Sequence, residues 1–431
     1  MERYPSWGRS IRSNPAAVVE LRWRDAFPRL DEFPAPFLPR GCGRSYGDSC
    51  LNNGGTLLDA TPMSHLIRFD RDRGVVECEA GVTISELLKV IVPAGWFIAV
   101  SPGTKFVTLG GSIANDVHGK NHHRAGTFGR HVLSFTLHRS DGTSLRCSAA
   151  ENGELFAATI GGLGLTGVIT TVELQLKRIT STDIASDQIV FASLDEWDEL
   201  SRASDQTFEY TVAWFDSNRS PTRGIFFRGN HAEGGRSAGV SGAVRLPLRP
   251  FSIFLGSAAM RAFNEAYFRA NAWREGVRRV GFDPFFYPLD AIANWNALYG
   301  RSGLVQYQCV IPAGVGLAPV RELLARVTRV PSFLTVLKRF GSLTSPGMMS
   351  FPKEGVTLAL DFPAANRDLL PMLDDLDAIV ADCGGAVYPA KDARMSPKSF
   401  ARFFPQWREF RRYIDPRFSS SFWQRVTYSL G

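Results

Sequence analysis

Three glycine-rich stretches constrain this chain more than any other feature: "RGCGRSYGD" at 40–48, "SPGTKFVTLGGSIANDVHGKNHH" at 101–123 and "GGLGLTGVI" at 161–169. Glycine weakens the interior of helices and strands and suits tight turns and close backbone approach. Each stretch is therefore a loop or an element end. Successive N–H groups in such a loop form a concave nest that binds phosphate oxygens without any side chain. For any single stretch taken alone, plain turn-making is the favoured reading of the glycines.

Two familiar nucleotide signatures are excluded. Gly41-x-Gly43-x-x-x-Gly47 is one residue longer than the dinucleotide fingerprint and leads into "SCLNNGG" instead of a helix. Gly162-x-Gly164-x-x-Gly167 matches that fingerprint in letters but runs into a strand, the reverse of the required context. The P-loop pattern is absent. His118, His122 and His123 invite a metal reading, but no nearby Cys or Glu completes a ligand set, and Gly119 and Asn121 oppose a helix aligning His118 with His122. No metal is expected.

The 431 residues exceed the roughly 250 to 300 at which one core stops growing, so two domains are expected. With 44% hydrophobic and 21% charged residues, the composition is that of a globular protein. A net charge of +7 admits phosphate ligands, anionic lipid surfaces and nucleic acid. The chain has no long run of like charge and no zinc-finger or RNP signature, so nucleic acid is not expected as a partner. Six scattered cysteines without a C-x-x-C pair read as reduced thiols. The N-terminus has no apolar signal region, and no stretch approaches the ~20 apolar residues of a span. The expected location is the cytoplasm, at most peripheral to a membrane.

Thr83-x-x-Glu86 is a capping box between a strand and an apolar helix, "GVVECEAGVTISELLKVI". Asp141-Gly142 predicts a hairpin turn. Val168, Thr170, Val172, Leu174 and Leu176 share one strand face. Residues 228–250 read as a long Gly-rich basic loop, and 251–273 as an aromatic helix facing either core or membrane. Residues 304–391 alternate in the order β-α-β-β-α-β, a split ferredoxin-like sheet that delivers Tyr388 and Lys391 to a loop end.

Taken together and in order, the three glycine stretches resemble the FAD-binding domain of vanillyl-alcohol-oxidase-type flavoenzymes. "GRSYGD", "AWFDS", "YPLD", "QYQCVIP", "VLKRFG" and "YPAKDAR" extend the likeness over nearly the whole chain to the decaprenylphosphoryl-ribose 2′-oxidases. These are the flavin half of an epimerase pair that makes an arabinose donor for cell-wall arabinan. The resemblance implies an α+β, two-domain flavoprotein: an FAD-binding domain at 1–180 completed by 386–431, and a substrate-binding cap at 181–385 with an antiparallel sheet. It implies oxidation of the 2′-hydroxyl of a polyprenyl-phosphoryl ribose to the 2′-keto sugar. The partners implied are that lipid-linked phosphosugar, an NAD(P)H-dependent short-chain reductase and, at most, a peripheral contact with the inner membrane.

The same resemblance carries residue roles. FAD would be held by Arg40, Gly41, Cys42, Gly43, Arg44, Ser45, Tyr46 and Gly47, and by Gly103, Thr104, Thr108, Leu109, Gly110, Gly111, Asn115, His118, Gly119, Lys120 and Asn121. Ile169 would touch the adenine side, and Tyr388 and Lys391 the flavin. Relatives that attach FAD covalently have a histidine where Arg44 stands, and no cysteine lies between 79 and 146, so the FAD is expected to be non-covalent.

Oxidising a secondary alcohol needs a hydride acceptor, a base for the hydroxyl proton and a cation for the charge that develops. Lys391 is the first candidate, with His118, Tyr46 and Gln308 beside it as catalytic residues. Gln306 and Gln308 share a strand face suited to sugar hydroxyls. Lys338 would meet the phosphate, with Phe340 on the same face, and Trp214 and Tyr287 would be pocket walls. Thr357 and Ala359 replace an Asn and a Cys of the family pattern, giving a smaller, less polar wall. Two other readings stand beside this one: an FAD-linked oxidase of a soluble alditol or aldonolactone, and a catalytically silent phosphosugar-binding protein. Flavin colour separates the last from both enzymes.

Overall fold

The computed structural model describes residues 4–217, 222–234, 257–328, 330, 332 and 334–430. The first domain begins with three parallel strands, Ala17–Glu20, Phe37–Arg40 and Thr56–Asp59, the last in the middle and buried throughout. The first glycine stretch leaves directly from the end of Phe37–Arg40. An antiparallel sheet follows, in the order Leu66–Asp70, Val75–Glu79, Val168–Arg178, Val132–His138, Ser144–Ser148.

Local chemistry places these elements as expected. Thr83 caps the Ile84–Ile91 helix with the reciprocal Glu86 bonds, and the helix buries Ile84, Leu87, Leu88 and Ile91. Gly142 takes a φ of 86° in the turn joining Val132–His138 to Ser144–Ser148. In Val168–Arg178 the alternate residues Val168, Thr170, Val172, Leu174 and Leu176 are all buried.

The cap is one eight-stranded antiparallel sheet: β1 (Asp183–Phe191), β2 (Tyr210–Phe215), β3 (Gly224–His231), β4 (Gly276–Gly281), β5 (Leu304–Pro312), β6 (Thr335–Phe340), β7 (Gly355–Pro363) and β8 (Ala386–Val387). Their spatial order is β4-β1-β3-β2-β6-β7-β5-β8. With helices Ala318–Val327 and Leu369–Asp382, strands β5 to β8 form the expected split ferredoxin-like unit. Strands β1 to β4, with helices Leu194–Ser204 and Ser257–Ala272, repeat the same order of elements and the same strand arrangement. The two units meet edge to edge where β2 pairs with β6, Ala213 opposite Leu337 and Trp214 opposite Val336.

Three expectations change. The loop expected from 228 begins later, because β3 continues to His231 in full register with β1; residues 235–250 lie outside the described ones. Within the apolar 251–273 stretch, the Ser257–Ala272 helix is neither all core nor all surface. It buries Met260 and Asn264 and exposes Phe263, and Trp273 just beyond is 86% exposed. The last cap strand also reaches past the expected boundary at 386, since Val387 pairs with Cys309 of β5.

The chain then returns to the first domain through helices Pro397–Phe403, Trp407–Phe410 and Ser421–Thr427. Arg425 of the last helix grips Asp48 bidentately at 2.8 and 2.7 Å and Asp392 at 2.8 Å. Both carboxylates are 4% exposed. This clasp ties the first glycine stretch to the segment carrying Lys391. Replacing Arg425 with alanine strands two buried carboxylates and is expected to cost roughly 3 kcal/mol, read as a lower midpoint of denaturant unfolding.

Candidate active site

A single cavity of about 1350 Å³ runs between the glycine loops and the cap sheet. It is larger than the few hundred to ~1,000 Å³ of a small-ligand pocket. At one end it is lined by Arg40 to Tyr46, Gly103, Thr104, Thr108, Gly110, Gly111, Asn115, His118, Gly119, Lys120 and Ile169. Among the described residues none accepts from the N–H groups of Cys42, Gly43, Arg44 or Ser45. Gly43 has a φ of 62°, and a methyl on Gly41 would overlap Thr108 Oγ1. A half-buried loop with unmet N–H donors and no room for side chains at Gly41 and Gly43 is a cradle for anionic oxygens. These residues fit the pyrophosphate of FAD.

Opposite the loops stand the second ferredoxin-like unit and its exit. Gln306 and Gln308 of β5 project to the cavity from alternate positions. Gln308 Nε2 lies 2.9 Å from His118 Nε2 and 3.2 Å from Thr357 Oγ1. Lys338 Nζ, from β6, lies 3.2 Å from His118 Nδ1. A neutral ring has one acceptor nitrogen, so it accepts from the Lys338 ammonium at Nδ1 or from the Gln308 amide at Nε2, one of the two at a time. Burial, reinforced by Lys338, His122 and Lys391, holds the His118 pKa well below the usual histidine value. His118 is therefore a neutral hydrogen-bonding group, and the charge beside it sits on Lys338, whose own pKa burial lowers to about 8.

Lys391 follows β8, and its ammonium lies 3.8 Å from the centre of the Tyr46 ring. Burial lowers its pKa to about 7, with Asp361 opposing and Lys338 assisting. Tyr46 is held in turn by its N–H, which donates to Ala390 O at 2.8 Å. Tyr388 donates from its hydroxyl to Asn115 O at 2.8 Å. Thus the chain leaving the cap sheet is stitched to both glycine loops. Trp214 lines the cavity from β2, against Tyr267.

Several sequence-predicted residues do not reach the cavity. Phe340 shares a strand face with Lys338 but packs on the His118 and His122 rings, at 4.8 and 4.4 Å, and supports His118 from behind. Tyr287 is buried behind the second loop, with its hydroxyl 2.5 Å from Ser101 Oγ. Leu109 belongs to the core, Asn121 donates to Ala99 O, and Gly47 backs directly onto Asp392 O. Sequence reasoning missed Asp361, Tyr299 and Trp7, all cavity-lining. Asp361 was within reach: it lies two residues beyond Ala359, on the same face of β7.

Comparison with known proteins agrees with this geometry. A model of the FAD binding domain matches residues 24–148. The chain is 32% identical to decaprenylphosphoryl-β-D-ribose oxidase of Mycolicibacterium smegmatis over 96% of this chain and 95% of that protein. The chain belongs to this oxidase family. It is an FAD-dependent oxidoreductase with the two-domain vanillyl-alcohol-oxidase-type fold. A Streptomyces coelicolor protein is also 32% identical, over 81% of this chain and all of its own length. Mouse L-gulonolactone oxidase is 31% identical, over only 37% of this chain and 36% of its own.

Arg44 holds its guanidinium over the Trp7 ring at 4.1 Å, and an arginine side chain forms no covalent bond to a flavin. All FAD is therefore expected in the supernatant after acid precipitation, with no flavin in the washed pellet. Gly41→Val, which pushes a side chain into Thr108, is expected to yield folded protein with little bound flavin, measured as the ratio of visible to ultraviolet absorbance.

Proposed function

We propose that this oxidoreductase oxidises the 2′-hydroxyl of a polyprenyl-phosphoryl ribose to the 2′-keto sugar. The observation that carries this reading is the wall formed by β5 to β8. Two side-chain amides, Gln306 and Gln308, line the same cavity as two cations, Lys338 and Lys391. Amides recognise sugar hydroxyls, and a buried ammonium recognises a phosphate that water would otherwise solvate. Similarity to an oxidase named for decaprenylphosphoryl-β-D-ribose supports the same substrate class here.

Bound FAD supplies the hydride acceptor. The chain's own groups do the rest. Lys391 in its neutral form takes the hydroxyl proton, and the ammonium that results offsets the charge left on the cofactor. Lys338 binds the phosphate, and His118, neutral and seated between Lys338 and Gln308, accepts from one of them and packs against the other. Phe263, Tyr267, Arg274 and Val280 line another part of the cavity and offer apolar surface to a lipid chain.

No helix among the described residues is long and apolar enough to cross a membrane. The exposed Phe263, Trp273 and Val277, set among Arg261, Arg274 and Arg278, favour peripheral contact with an anionic bilayer from the cytoplasmic side. The keto product calls for a separate NAD(P)H-dependent reductase to complete an epimerisation.

Anaerobic addition of polyprenyl-phosphoryl ribose is expected to bleach the flavin and release the 2′-keto sugar; faster bleaching by free alditols or lactones would overturn the assignment. Lys391→Ala should slow flavin reduction about 10²-fold or more while flavin stays bound. Lys338→Ala should chiefly raise the substrate dissociation constant, because the phosphate charge is the same before and during reaction. Since Lys338 loses its charge above about pH 8, kcat/KM is expected to fall as the pH rises through that value.

A further inference from the structure

Asp361 is a buried carboxylate in the cavity wall. It is 0% exposed on β7, directly opposite Gln306 of β5. Its Oδ1 accepts from Gln306 Nε2, and its Oδ2 has no hydrogen-bond partner. Burying a carboxylate with one oxygen unmet is costly unless a charge compensates it. No cation among the described residues forms a direct salt bridge with it. The titratable groups that bear on it are Lys391 after β8, Tyr46 from the first glycine loop and Tyr299 from the Trp295–Tyr299 turn of helix, while Lys338 of β6 acts on Lys391. Of these, the one cation acting on it directly is Lys391.

We infer that Asp361 is the positioning residue for proton removal: its buried carboxylate is the fixed counter-charge for the ammonium that forms on Lys391, and it turns Gln306 toward the sugar. This rests on the role given to Lys391 above. In the step, the carbinol O–H bond breaks and an N–H bond forms at Lys391 Nζ. The C–H electron pair leaves as hydride to FAD, so the alcohol is oxidised to the ketone and FAD is reduced by two electrons. Asp361 exchanges no proton with the substrate, since Oδ2 is sealed from it; its part is electrostatic, like the carboxylate behind a catalytic base. Burial raises its pKa to about 6, against the opposing pull of Gln306 and Lys391, so the pair carries one carboxylate and one titrating amine near neutrality.

Two measurements on the holoenzyme test this. In pH-difference infrared spectra, Asp361→Asn identifies the carboxyl band by its loss. In Lys391→Ala that band is expected to titrate about one pH unit higher, because the stabilising cation is gone. Lys391→Met serves equally should the alanine variant lose its flavin. An unshifted band in these variants overturns the inference, and this readout needs no substrate.

In anaerobic stopped-flow reduction between about pH 5 and 9, the limb that rises as Lys391 deprotonates should move about one unit lower in Asp361→Asn, and the plateau should fall tenfold or more. Asp361→Glu should return the limb toward its original position. A lower plateau with an unmoved limb means a merely structural role and also overturns the inference. If the band shifts but no lipid-linked ribose bleaches the flavin, the substrate assignment fails and the pairing of Asp361 with Lys391 stands.

Discussion

One main-chain hydrogen bond, from Tyr46 N–H to Ala390 O, decides where chemistry can occur in this molecule. It joins the first glycine loop to the strand exit that carries Lys391. Gly47, pressed on Asp392 O, leaves no room for the two segments to slide, and Arg425 closes the contact by neutralising Asp48 and Asp392 together. A loop from the first fifty residues and a turn near 390 thus become one rigid piece. The close approach also puts the Tyr46 ring 3.8 Å from the Lys391 ammonium.

That arrangement explains how two lysines in one cavity do different work. Lys338 is backed by a neutral histidine and a threonine-bound glutamine, a setting that holds a charge steady. Lys391 has the Tyr46 ring on one side, with burial lowering its pKa to about 7 against the pull of the Asp361 carboxylate. The proposed roles, ligand for Lys338 and base for Lys391, rest on this difference in surroundings.

Much of this was readable in the sequence, where local chemistry acts alone. Asp141-Gly142 made its hairpin, Thr83 and Glu86 their capping box, and the alternation from Val168 to Leu176 its buried face. Period-two spacing put Gln306 beside Gln308 correctly, but it says which side a residue faces and not what covers it. Phe340 shares a side with Lys338 and is covered by two histidines from the second glycine loop, a long-range contact no strand pattern encodes. Asp361 failed to register for the converse reason: its neighbours Thr357 and Ala359 were weighed, and the next residue on their face was not. The first ferredoxin-like unit escaped because its two halves are split by a long Gly-rich stretch and share no repeated motif with the second.

The pairing of the two units has a consequence for how such an enzyme can diverge. The strands meet at β2 and β6 about an approximate two-fold axis, yet Gln306, Gln308, Lys338, Asp361 and Lys391 all come from one side of it or from its exit. The other side contributes Ser186, Gln188, Val212 and Trp214, which bound space, and a single charge, Arg274. Shape and reactivity are thereby inherited on separate pieces of chain. Drift in β1 to β4 can recut the cavity for a bulkier or slimmer guest while the proton-handling machinery stays untouched across the seam.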